Sequence, residues 1–131
     1  MELDPDIGCE LDPKGIDQHA PGSKLDAGKP MAGLLQDFGL ALLEVSKVAT
    51  FGATKYSRGG WQYVDDGINR YTDALGRHFL EEKYKPINHD DGGMMTAAQV
   101  AWNALARLEL MLRQESYDAC LPESPHPGTE G

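Results

Sequence analysis

Residues 94–112, MMTAAQVAWNALARLELML, contain no glycine or proline, and their polar side chains are confined to Thr96, Gln99, Asn103, Arg107 and Glu109. Met94, Ala98, Ala101, Leu105, Leu108 and Leu112 recur at intervals of three and four, which predicts a helix from about Gly93 to Gln114 with these residues as its main buried stripe. Ala97, Ala101 and Ala104 leave room for another helix to approach closely. Thr96, Gln99 and Asn103 form a second, polar ridge at the same spacing. A buried Asn must find hydrogen-bond partners, and a base edge or an acid from a facing helix would supply them.

Two further helices are expected upstream. Met31 to Thr50 carries Leu34, Phe38, Leu42, Val45 and Val48 as a stripe, widened by Leu35, Leu40 and Leu43. This helix should be buried on more than one side. Glu44 sits inside the apolar stretch with Lys47 one turn on. The pair reads either as an ordinary helical ion pair on a narrow exposed strip or as a carboxylate that needs a cation. Asp66 to Lys83 offers Ile68, Tyr71, Leu75 and Phe79 as a core face, with Asp73, Arg77 and Glu81 along another. His78 falls one turn from both Glu81 and Glu82. A salt-bridged solvent face would explain these charges, except that the connector YKPINHDDGG folds the chain back and brings Asp90 and Asp91 near. One of those two acids can cap the third helix.

Between the first two helices lies FGATKYSRGGWQYVDDG. Gly52, Gly59, Gly60 and Gly67 break the periodicity, so a loop is expected. Lys55, Tyr56, Arg58, Trp61 and Tyr63 alternate cation and ring, which suits a nucleotide: a surface to stack on and a charge for phosphate. The same rings could instead pin the loop to the core.

With no strand of useful length and no internal repeat, the expected fold is all-α. It is a helical bundle of three main helices, completed by oligomerisation as a symmetric dimer or tetramer that covers the remaining apolar faces. The domain should span residues 24–114, between a flexible acidic N-terminal segment, 1–23, and a flexible C-terminal tail, 115–131. The net charge of -9 belongs to those ends, because residues 24–113 hold eleven acids and eleven bases. Without a basic excess, duplex nucleic acid is not an expected partner. Cys9 and Cys120 lie in the two tails with no Cys-x-x-Cys spacing, which argues against a thiolate zinc site. No apolar run approaches a bilayer span and nothing resembles a signal peptide, so no membrane partner and a cytoplasmic location are expected.

Acids on several helices suit Mg²⁺, which takes carboxylate oxygens, keeps several waters and bridges phosphates. Glu44, Glu81, Glu82, Asp90 and Asp91 are the candidate metal ligands. Lys24 and Lys29 of KLDAGKP, with Lys55, Arg58 and Arg77, are the candidate phosphate contacts.

The runs KLDAGKP, LLEVSKVATFGATKYSRGGW, DALGRHFLEE, DDGG and AAQVAWNALARLEL, taken in order, resemble the phage and bacterial dATP/dGTP diphosphohydrolase N-terminal family. That family is similar to the MazG-like all-α nucleotide pyrophosphohydrolases. The resemblance spans about Lys24 to Leu112. It implies a Mg²⁺-dependent enzyme that cleaves a deoxynucleoside triphosphate to monophosphate and pyrophosphate. In those terms Glu44 matches the acid of the first core helix, Arg77 and His78 the Arg-His pair, and Asp91 the position where the family usually has Glu. Lys85-Pro86 replaces a Gly-Glu, and Thr96 and Gln99 stand where the family often has histidines. The expected roles are therefore His78, Glu81 and Glu82 in catalysis; Lys24, Lys29, Lys55, Tyr56, Arg58, Trp61, Arg77 and Asn103 on the substrate; and Glu44, Glu81, Glu82, Asp90 and Asp91 on the metal. The alternative is a protein that binds and sequesters a nucleotide or nucleotide-derived signal without cleaving it, as in phage counter-defence.

Overall fold

The computed structural model describes residues 10–120, with side chains through Gln114. Cys9, the tail beyond Cys120 with His126, and the side chain of Cys120 lie outside the described residues. The chain divides into two compact units at Asp37.

In the first unit, the described residues before Ala32 are held by hydrogen-bonded turns. The Asp12 carboxylate accepts the backbone N–H groups of Lys14 at 2.7 Å and Lys24 at 2.8 Å. The Lys24 bond is the main cause that holds Asp12 below the usual carboxylate range. Ala27 N–H donates to the Leu11 carbonyl at 2.9 Å, and Lys29 pairs with Glu10 at 3.2 Å. The KLDAGKP segment is thus folded onto residues 10–16.

A 3₁₀ helix, Ala32–Phe38, ends the first unit. The second unit is helical: α1, Gly39–Lys55, then a 3₁₀ turn, Gly60–Tyr63, α2, Gly67–Glu81, a two-stranded antiparallel hairpin (β1, Ile87–Asn88; β2, Met94–Met95) and α3, Thr96–Cys120. The three expected helices are present. The first differs most from expectation: its beginning is 3₁₀, and its α-helical part continues through Gly52 to Lys55, into the stretch expected to be loop. A single glycine costs a helix interior only about 1 kcal/mol, too little to end it. Ser57 and the left-handed Gly59 make the turn.

α2 packs along α3 far more extensively than α1 does. The Arg107 guanidinium of α3 donates to the Thr72 hydroxyl of α2 at 2.6 Å. α2 ends at Glu81, five residues before Pro86, and the Tyr84 and Lys85 N–H groups close a turn on the Glu81 carbonyl. The return is pinned there, because Thr96 donates its N–H to the Pro86 carbonyl at 2.9 Å and its hydroxyl to the Lys85 carbonyl. Strand register pairs Ile87 with Met95 and Asn88 with Met94. Gly92 and Gly93, both with φ above +70°, make the intervening turn. A Cβ on Gly92 would lie 2.6 Å from the Phe51 ring, so this position must be glycine for α1 to come so close.

Several expected faces are displaced. Leu34, Phe38 and Leu42 of the first stripe are exposed, as are Leu40 and Leu43. Phe79 of the α2 core face and Leu105, Leu108 and Leu112 of α3 are also exposed. The apolar residues buried on α3 are Ala98 and Ala106, and Ala97 and Ala104 face solvent. Four polar side chains are buried as deeply as these alanines: Asn88, Thr96, Gln99 and Asn103. In one chain, α3 approaches its neighbours along its small and polar residues, and Leu105, Leu108 and Leu112 are left outside.

Candidate functional site

A cleft of about 970 Å³ opens between α1, α2, α3 and the Ser57–Val64 segment. That volume is at the upper end of the range typical for small-molecule sites. A second recess, about 300 Å³ and lined by Val64, Asp66, Gly67, Ile68, Leu110 and Gln114, offers no cation. The chemistry lies in the larger one.

Four cationic side chains line the large cleft, Lys55, Arg58, Arg70 and Arg77, against a single carboxylate, Asp91. The imbalance suits an anion. Lys55 sits at the end of α1, where its ammonium lies 3.1 Å from Asp91 Oδ1 and 5.3 Å from the centre of the Tyr56 ring. The hydrogen bond to Asp91 is the main cause that raises the Lys55 pKa.

Rings form one wall. Trp61, Tyr71 and Trp102 meet edge to face in all three pairs, with centroids 5.6 to 6.4 Å apart. The Tyr71 hydroxyl donates to the Trp61 carbonyl at 2.9 Å, and burial pushes its pKa up. The Arg113 guanidinium lies 5.7 Å over the Trp61 ring. Trp61 therefore both pins its segment to α2 and α3 and presents itself to the cleft.

His78 lines the cleft from α2, and its buried Nδ1 has no hydrogen-bond partner. Burial lowers its pKa, more than the nearby Glu81 raises it. The ring is neutral near pH 7.

Asp91 is held from the other side by α3. Gln99 donates from Nε2 to Asp91 Oδ2 at 3.0 Å, and its Oε1 accepts from Asn88 Nδ2 at 3.0 Å. Asn103 donates back to the Gln99 carbonyl at 2.8 Å. The polar ridge expected from spacing is thus buried and bonded, with Gln99 and Asn103 lining the cleft and Thr96 bound to the carbonyls of Lys85 and Pro86. Neither Asp90 nor Asp91 is engaged as a helix cap: α3 starts at Thr96, and both carboxylates are bound elsewhere, Asp90 to Lys85 at 3.1 Å. That bond raises the Lys85 pKa.

Of the expected site residues, Lys55, Tyr56, Arg58, Trp61, Arg77, His78, Asp91 and Asn103 come together in the cleft. Glu44, Glu81, Glu82 and Asp90 do not line it. Glu44 pairs with Lys47 at 2.6 Å, as an ordinary helical ion pair would. Lys24 and Lys29 belong to the first unit. Among the described residues, no group of three or more His, Cys, Asp or Glu side chains is placed to hold a metal ion. Mg²⁺ does not require such a cage, since one or two carboxylates with substrate phosphates suffice. Asp91 is the one carboxylate in the cleft's lining, and it is paired with Lys55.

Arg70, Tyr71 and Trp102 were not anticipated at the site. The α2 face that matters is Arg70, Tyr71, Ala74, Arg77 and His78, a spacing of one, four, seven and eight. Arg70 and Arg77 are two turns apart, a signal present in the sequence that the Asp73–Arg77–Glu81 alignment obscured. Trp102 lies beside Asn103 on α3 and was not singled out in the sequence.

These features define an all-α domain with a cationic, aromatic-walled cleft around one acid. Residues 19–120 match the family described as dATP/dGTP diphosphohydrolase, N-terminal, and the chain belongs to that family. A dATP/dGTP diphosphohydrolase of Salmonella phage PMBT28 is 35% identical over 80 residues, which is 61% of this chain and 26% of that protein. The chain therefore spans about a quarter of that relative's length. No solved structure matches it. No described helix is long and apolar enough to cross a membrane.

Proposed function

We propose that the cleft takes a deoxynucleoside triphosphate, dATP or dGTP, and hydrolyses it to the monophosphate and pyrophosphate. The observation that carries this reading is the cleft's lining: four cations and a three-ring wall around one carboxylate. The family and the phage relative's name supply the reaction. Lys55, Arg58, Arg70 and Arg77 bind the phosphate chain, and neutralising its charge favours departure of pyrophosphate. Trp61 and Trp102 stack against the base or sugar. Neutral His78 accepts a proton from the attacking water as the bond between the α-phosphorus and its bridging oxygen breaks. Asp91 is the residue that would hold Mg²⁺, which when bound lowers the pKa of water and neutralises phosphate charge.

The purified protein, incubated with Mg²⁺ and each common nucleoside triphosphate, should release pyrophosphate fastest from dATP or dGTP, as read by ion-exchange chromatography. Folded protein that turns over none of them would remove the reading.

The dispersal of Glu44, Glu81, Glu82 and Asp90 favours a second reading, in which the cleft binds a nucleotide without cleaving it. Calorimetric binding without product would establish that alternative. In either case we propose that the protein is a homo-oligomer in the cytoplasm, with a second copy covering the exposed leucines of α1.

A further inference from the structure

The three polar side chains buried on α3 differ in how far their hydrogen bonds are used up inside the protein. Thr96 gives its hydroxyl to the Lys85 carbonyl. Gln99 uses both ends of its amide, donating to Asp91 and accepting from Asn88. Asn103, one turn further on, uses only its donor end, with Nδ2 bonded to the Gln99 carbonyl at 2.8 Å. That bond fixes which way the amide points, because only its N–H side can meet a carbonyl oxygen. Oδ1 is therefore the free end, and it has no partner among the described residues. It is also not sealed away: the side-chain polar atoms that are both closed to solvent and unpartnered are His78 Nδ1 and Asn88 Oδ1. Asn103 is only 7% exposed, and it lines the large cleft beside Trp102. An open acceptor on a side chain this deeply buried in the cleft wall faces whatever the cleft holds.

We infer that Asn103 Oδ1 reads the base, accepting an N–H from an exocyclic amine, so that the cleft prefers amino-bearing bases to their deaminated counterparts. This rests on the reading of the cleft as a nucleotide site and adds the atom that sets its base preference. The other linings cannot set it. Trp61 and Trp102 offer ring faces, and every base has a face to stack. Lys55, Arg58, Arg70 and Arg77 meet phosphate, which all nucleotides share. A fixed amide oxygen does distinguish bases by the donors on their edges. Where an amine is present, its bond to Oδ1 replaces the water that both groups give up. Where an oxygen or a hydrogen stands in its place, Oδ1 is left buried and unpaired under the bound base. Adenine carries its amine at C6 and guanine at C2, and hypoxanthine carries neither. Deoxyinosine triphosphate is thus the deaminated counterpart of dATP and lacks the amine of dGTP.

The test is calorimetric titration with the non-hydrolysable α,β-methylene analogues of dATP, dGTP and deoxyinosine triphosphate, with inorganic pyrophosphate as a ligand that has no base. The wild-type protein should bind the better of the first two about 5–150-fold more tightly than the deoxyinosine analogue, the range expected for one buried acceptor left unpaired. Asn103→Leu keeps the size and removes the acceptor. In that variant the preference should fall to near one, while pyrophosphate affinity stays unchanged. Equal wild-type affinity for all three analogues would overturn the inference. So would a preference that survives in Asn103→Leu, or one whose loss comes with an equal loss of pyrophosphate binding, since a merely structural role would weaken every ligand together. If Asn103→Leu does not fold, the wild-type comparison decides alone. A wild-type protein that binds neither the analogues nor pyrophosphate sinks the reading of the cleft itself, and this inference with it, whereas binding without regard to the amine sinks this inference only.

Discussion

In α3 three of the side chains withdrawn from water, Thr96, Gln99 and Asn103, are polar, whereas in α1 three leucines, Leu40, Leu42 and Leu43, are left in water. Thr96 is fully buried and Gln99 nearly so, while Leu40 is 86% and Leu43 63% exposed. Burial of apolar area contributes roughly 25 cal/mol per Å², so a single chain seeking its own best core would have turned α1 inward. Buried amides, by contrast, are tolerated only when their partners are in place. The comparison teaches that the two helices answer to different demands. α3 arranges donors and acceptors around a cleft, and α1 leaves an apolar surface exposed.

The sharpest way to break the comparison is at the cleft's acid. Asp91→Asn should lower turnover by more than about 100-fold, since losing even a residue that orients a metal ligand costs 10–100-fold. Steady-state kinetics with dATP and dGTP measure it, and near-normal turnover would mean that the buried polar side of α3 serves packing alone. The α1 side is tested by Leu40→Lys with Leu43→Lys. Sedimentation should find the parent chain oligomeric and the double variant monomeric, with helicity retained. A parent chain that sediments as a monomer would leave the leucines without a partner.

A smaller effect is expected at the aromatic wall. Trp61→Ala should weaken nucleotide affinity about 5–150-fold, the range that corresponds to 1–3 kcal/mol for a lost base–ring stack. Trp61 and Trp102 are the chain's two tryptophans and both line the cleft, so intrinsic fluorescence should report binding directly. The smallest effect concerns His78. Burial lowers its pKa, so the unfolded chain takes up the proton first as pH falls. The stability associated with a neutral ring is complete above its unfolded value near 6.5 and is lost progressively as the pH drops below it toward the lower folded value. Urea denaturation of the parent and His78→Gln at pH 8 and pH 5.5 should show the parent losing more on acidification.

Much of the fold was legible because helical periodicity is local. Three helices, their order and the fold-back at DDGG all follow from spacing and from glycine and proline. What spacing does not carry is which of several apolar faces meets a neighbour. Each helix here has more than one, and the choice fell on Ala98 and Ala106 in place of Leu105 and Leu108. The cleft was half legible. Lys55, Arg58, Trp61, Arg77, His78 and Asp91 stood out because charge, ring and imidazole are unusual among loops and apolar helices. Glu44 and Asp90 looked equally apt, but each has a lysine near in sequence that it pairs with. Local pairing of that sort competes with any long-range role and cannot be weighed without geometry. Trp102 was hidden for the opposite reason, as a large ring in an apolar helix ordinarily means core.

Gly92 gives the cleft its gauge. The Phe51 ring rests where a side chain at position 92 would have to be, and Lys55 stands one turn further along the same helix, with Asp91 the immediate neighbour of the glycine. The reach from ammonium to carboxylate is therefore set by an empty space of one methyl group. Even an alanine there would act as a wedge, parting charge from countercharge without touching either.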